Sequence, residues 1–109
     1  MKKIEMMNRM ATKIDQLEFI ADHYREEIEN LYLRATGEEA NDEPNSILVK
    51  RTLDTFKQSG TYNSDTMYDI EYMALFYKVE HAKAFEMRRM FEELFGKTIY
   101  DYRYEASQA

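Results

Sequence analysis

Apolar positions recur every three or four residues, without a break, from residue 3 to residue 36. With Met7 as heptad position a, the a positions are Met7, Ile14, Ala21, Ile28 and Ala35. The d positions are Met10, Leu17, Tyr24 and Leu31, and every one of the nine is apolar or aromatic. This period predicts an amphipathic helix over residues 3–36 with a coiled-coil-like seam. Gly37 follows the last periodic residue, where a left-handed residue ends a helix at little steric cost. Phe19 and Leu33 fall on the opposite face, so they are expected to be exposed or covered by another element.

Residues 37–45 read as an acidic connector. Asp42 or Asn45 can cap the next helix, and Pro44 is tolerated in its first turn. A short helix is predicted over 46–58, with Val49, Leu53 and Phe56 on one stripe and Ile47 and Leu48 beside it. Ser59 and Gly60 stop it. TYNSD, residues 61–65, reads as a loop in which Asn63, Ser64 or Asp65 can cap a third helix, over 65–95. One stripe of that helix runs Ile70, Met73, Tyr77, Ala84, Met87, Phe91 and Leu94, with Glu80 as its charged member. A second runs Tyr68, Tyr72, Leu75, Val79 and Ala82. A helix apolar on two faces is expected to have neighbours on two sides. Gly96 ends it.

Residues 97–109 are a tyrosine-rich tail. Tyr100, Tyr102 and Tyr104 alternate with polar residues, as on a strand, but no other segment makes a partner strand, and a lone strand leaves its ladder groups unpaired. The tail is therefore expected to be extended or shortly helical. It either clasps the bundle or offers Tyr100, Tyr102 and Tyr104 to a partner.

Element lengths add an expectation about assembly. At about 1.5 Å per residue the three helices are about 50, 20 and 45 Å long. If short connectors make consecutive helices antiparallel, the start of the first helix and the end of the third lack partners within the chain. Those parts hold Ile4, Met6, Met7, Met10 and Ile14, and Met87, Met90, Phe91, Leu94 and Phe95. Met7, Met10, Ile14, Leu17, Met87, Phe91 and Leu94 are expected to form a two-fold dimer interface. The fold class is thus all-α: a dimeric bundle of two long helices and one short one, in a single domain, with a tail.

Composition narrows the function. The chain has 109 residues, a net charge of −6, three glycines, one proline and no cysteine. So few breakers disfavour an all-β fold, and the absence of cysteine excludes thiolate metal sites and fits a cytoplasmic location. The apolar run of MKKIEMMNRM is broken by Glu5, Asn8 and Arg9, so it does not read as a signal peptide. No stretch approaches the roughly 18 consecutive apolar residues of a membrane span. Four carboxylates, Glu38, Glu39, Asp42 and Glu43, fall within residues 37–46. Acidity repels nucleic acid phosphates and favours a partner with a basic surface. Glu26, Glu27, Glu38, Glu39, Asp42 and Glu43 are the residues expected to meet it.

Catalytic patterns are sparse. His23 and His81 each follow an acid, but adjacent helical residues point about 100° apart, and neither has a glutamate three positions earlier, as di-metal bundles require. Glu26 and Glu29 have the spacing of one half of a magnesium site for nucleotide pyrophosphate chemistry. Asp69 and Glu71, on the facing helix, are spaced for a strand instead. Glu80 is expected to pair with a base at the stripe edge; the alternative is a raised-pKa acid in a bundle cavity. No phosphate loop, nucleophile triad or zinc spacing occurs, so neither cofactor nor metal is expected. The long–short–long order resembles the helical chorismate mutases in topology alone, and the basic residues such a site requires are not at matching positions. The expectation is a non-enzymatic protein-binding regulator or inhibitor, of the small acidic kind found among viral and mobile-element proteins, some of which imitate DNA charge. A small all-α dimeric enzyme, with a chorismate-mutase-like or nucleotide-pyrophosphatase-like topology, is the alternative.

Overall fold

The computed structural model describes residues 2–60 and 64–108, with side chains for all of these except 64–68. Four helices occur among the described residues, and no strand: α1 (Lys3–Thr36), α2 (Asn45–Ser59), α3 (Ser64–Phe95) and α4 (Ile99–Ser107). The loop at 61–63, the caps expected of Asn63, Ser64 or Asp65, and Tyr68 of the second stripe lie outside the described residues and side chains. The heptad on α1 is its buried face: Met7, Ile14, Leu17, Ala21 and Ile28 are all 6% exposed or less. Gly37 and Gly96 follow α1 and α3 with φ of 74° and 71°. Their amide groups donate to Leu33 O and Glu92 O, the left-handed ending that glycine adopts without strain.

The chain forms two compact units, Met1–Phe19 with Glu80–Ala109, and Ile20–Val79. In the first, α1 and α3 run antiparallel: Arg88 pairs with Glu18, while Phe91 and Phe95 join Met7, Ala11 and Ile14 nearer the start of α1. Ile99 of α4, 1% exposed, completes that cluster, with Met10, Met87 and Tyr102 packed against it. Phe91 meets Phe95 and Tyr102 edge-on, at centroid distances of 4.9 and 5.4 Å, a favoured arrangement for aromatic pairs.

The tail therefore corrects the three-helix count. α4 begins at an N-cap: Thr98 Oγ1 accepts a hydrogen bond from Asp101 N at 3.0 Å, satisfying one of the amides that a helix start leaves orphaned. At about 100° per residue, Tyr102 points away from Tyr100 and Tyr104. Alternation in sequence becomes two opposite faces on the helix.

In the second unit, the direction of α2 departs from the antiparallel expectation. Arg25 Nη1 reaches Asn45 Oδ1, Leu48 packs with Ile28 and Tyr32, and Arg51 lies beside the Tyr32 hydroxyl. Rising positions on α2 meet rising positions on α1, so the two are parallel. The connector makes the reversal instead, returning from Thr36 to the level of Arg25. α3 then runs antiparallel to α1, with Phe76 against Tyr24 at 5.4 Å and Met73, Ala74 and Tyr77 against the Ile28–Tyr32–Leu48 cluster.

That reversal removes the premise of the expected dimer interface. Met7, Ile14, Leu17 and Phe91 are covered by the chain itself, and Met10 and Met87 are half-buried. Leu94 is 59% exposed, while Phe95 takes the buried place. A helical face drifts about 20° per heptad from a strict seven-residue repeat, enough to move the end of the stripe from residue 94 to residue 95. On α2 the fully buried residues are Leu48 and Thr52, rather than Val49, Leu53 and Phe56, because a threonine hides the apolar row. The second stripe of α3 is a larger departure: Tyr72, Leu75, Val79 and Ala82 are exposed rather than buried against a second neighbour.

Candidate interaction surfaces

The acidic connector is shaped by Arg25. Its Nε donates to Glu29 Oε1 at 2.7 Å, its Nη1 to Asn45 Oδ1 at 2.5 Å and its Nη2 to the backbone oxygen of Asn41 at 3.2 Å. One planar guanidinium thus ties α1 to the connector and to the first residue of α2, a task suited to arginine's fixed fork of donors. Thr36 Oγ1 accepts from Glu38 N at 3.2 Å and donates to Tyr32 O at 2.8 Å. The segment after α1 is therefore held to the helix at both ends.

Glu43 belongs to this scaffold. Its Oε1 accepts from Arg51 Nη1 at 2.9 Å, and its Oε2 from Asn41 N at 3.1 Å. The Tyr32 hydroxyl, and then Glu43, raise the Arg51 pKa above its ordinary value. Glu26, Glu38, Glu39 and Asp42 are exposed and Glu27 is half-buried. Among the described residues no basic side chain forms an ion pair with any of these five. Glu39 and Glu29 line an open recess of about 200 Å³ with Asn30, Leu33 and Ala40. Of the six carboxylates expected to meet a partner, Glu39 alone lines this recess.

The tyrosines of α4 divide. Tyr100 and Tyr104 are 62% and 68% exposed, with Arg103 over the Tyr100 ring at 5.9 Å. Tyr102 instead packs on Phe91, and its hydroxyl hydrogen-bonds Asn8 Oδ1. Arg103 Nη2 donates to Asp15 Oδ1 at 2.6 Å and to Glu18 Oε2 at 2.8 Å, and Arg88 Nη1 donates to Glu18 Oε1 at 2.9 Å. Burial opposes the Arg103 charge, but the hydrogen bonds to Asp15 and Glu18 outweigh it and hold its pKa above the ordinary value. Tyr102 and Arg103 thus act as a clasp within the first unit.

Glu80 sits at the stripe edge and pairs with Lys83 at 3.2 Å. His23 is exposed, 5.9 Å from the Tyr24 ring, and Glu29 is engaged by Arg25. Among the described residues no three His, Asp or Glu side chains converge as metal ligands would, and no helix is long and apolar enough to cross a membrane. Sequence patterning gave no sign of Arg88 or Arg103 as organising residues, and little of Arg25. The Arg25–Glu29 spacing of four is the one local signal, and their other partners lie far along the chain.

Comparison with protein-family models, with curated proteins and with solved structures found no match.

Proposed function

We infer that this protein is a non-enzymatic binder, a small acidic inhibitor or regulator that occupies a basic surface of another macromolecule. The observation that carries this reading is the connector: Arg25 holds its backbone against α1 while Glu38, Glu39 and Asp42 stay exposed and outside any ion pair among the described residues. A row of carboxylates on a fixed backbone presents charge at lower entropic cost than a loose acidic tail. Such a row complements lysine and arginine side chains that would otherwise meet phosphates.

The test is affinity capture from extracts with the full chain and with an E38K/E39K/D42K variant. Glu43 is left intact because it holds Arg51 and Asn41. The wild type should retain proteins with basic surfaces and release them as salt screens the contact, and the variant should retain at least about tenfold less. Equal retention of the same proteins by both chains would sink the reading.

A further inference from the structure

The second stripe of α3 is an ordered apolar surface. Tyr72, Leu75, Phe76 and Val79 are 52%, 51%, 45% and 41% exposed and follow helical spacings of three and four. The Tyr72 and Phe76 rings stack at 6.1 Å, and Phe76 rests against Tyr24. Contiguous apolar rows that stay half-exposed often mark interaction sites.

The charges beside the row indicate what covers it. Glu71 and Lys78 lie seven residues apart, on the same flank, and both are exposed. Neither enters a salt bridge among the described residues. We propose that the row is a self-association surface on which α3 of a second copy lies antiparallel. A two-fold axis at the level of Met73 and Ala74 sets Tyr72 of each copy against Leu75 of the other. With Tyr72 and Val79 as a positions and Leu75 as d, Glu71 and Lys78 both occupy g. In an antiparallel pair g faces g, so each Glu71 meets Lys78 of the second copy, twice over by symmetry. A parallel pair would face Glu71 with Phe76 and give that carboxylate no cation. Asp69 and Lys83, exposed on the Phe76 flank, again supply one charge of each sign, so the row has no preference for an acidic or a basic foreign surface, and the same row reversed satisfies both.

The surface is small. At 41–52% exposure, two aromatic side chains of about 150–250 Å² and two smaller aliphatic ones leave on the order of 350 Å² per copy, whereas a standard interface buries about 800 Å² per partner. The association is therefore weak and concentration-dependent. Sedimentation equilibrium of the full chain from about 10 µM to about 1 mM should show the mass rising from 13.1 kDa toward twice that value. Glu71→Lys and Lys78→Glu should each weaken association by about tenfold, since like charges then face each other, and the double variant E71K/K78E should restore it. Both positions are exposed, and circular dichroism checks that each variant keeps its helices. A constant mass across the range overturns the proposal. So does association that ignores both single substitutions, or a double variant no better than either single one. A constant mass combined with loss of a foreign partner in Leu75→Lys would assign the row to that partner instead.

Discussion

Both units set a short third helix against α1 and α3, and they secure it differently. α4 has nine residues, and it is capped by Thr98, wedged by Ile99 and Tyr102, and ion-paired through Arg103 to Asp15 and Glu18. α2 has fifteen residues and no side-chain cap, with Pro44 at the capping position. Its Thr52 Oγ1 is buried with no hydrogen-bond partner among the described residues. Isolated helices shorter than about 12–15 residues are marginal in water, so α4 depends on those contacts. The longer α2 tolerates local deficits. The unit holding α2 also carries the acidic connector and the half-exposed row of α3. Exposed apolar side chains are not confined to it: Phe19, Phe85, Met90 and Leu94 of the other unit are 46–76% exposed.

The contrast can be broken most sharply in the two apolar clusters. Phe91→Ala should cost about 3–5 kcal/mol, because a fully buried ring with two edge contacts leaves a cavity. Leu48→Ala should cost about 2–3 kcal/mol. Urea unfolding gives both, and the contrast fails if the Leu48 variant loses more.

Next in size is Arg103→Met, which keeps the stem but removes the hydrogen bonds to Asp15 and Glu18. Its side chain is 33% exposed, so screening limits the loss to about 1–2 kcal/mol. The loss should shrink in high salt. The Arg103 pKa is raised on folding, so its contribution is fully present below the ordinary arginine pKa and disappears only as pH rises past it. Wild-type and variant melting curves should therefore keep a constant separation from neutral to mildly alkaline pH. A gap that narrows between those limits would show that another group supplies the stabilisation.

The smallest effect carries the opposite sign. Thr52→Val keeps the shape and deletes the unpartnered hydroxyl, so it should stabilise the chain by about 1 kcal/mol. A destabilised variant would mean that the hydroxyl is satisfied and that α2 has no such deficit.

The seam of α1 was legible because nine apolar residues repeat without interruption, and periodicity needs no tertiary information. The end of α3 was less so, since a strict heptad points to Leu94 where helical drift buries Phe95. α4 was readable in principle: Thr98 and Asp101 have N-cap spacing, and Ile99 and Tyr102 lie one turn apart, yet the alternating tyrosines mimic a strand. The direction of α2 was not readable. It rests on Arg25 reaching a backbone oxygen at Asn41 and a side chain at Asn45, and no residue spacing encodes such a contact. The acidic residues were visible as composition, but the separation of Glu43, tied to Arg51, from the exposed Glu38, Glu39 and Asp42 emerges only once the connector is folded.

The antiparallel pairing of α1 with α3 also bears on how the chain is made. Residues 20–79 are contiguous, so their cluster can close while synthesis is still under way. Met7, Ala11 and Ile14 must wait until Phe91 and Ile99 have emerged, with ties such as Asn8 to Tyr102 spanning 94 positions. At about 5–20 residues per second, that leaves an apolar stretch of nascent chain uncovered for several seconds. High contact order slows such closure further. The early half of α1 is where a chaperone is expected to engage, and its release awaits the folding of α4.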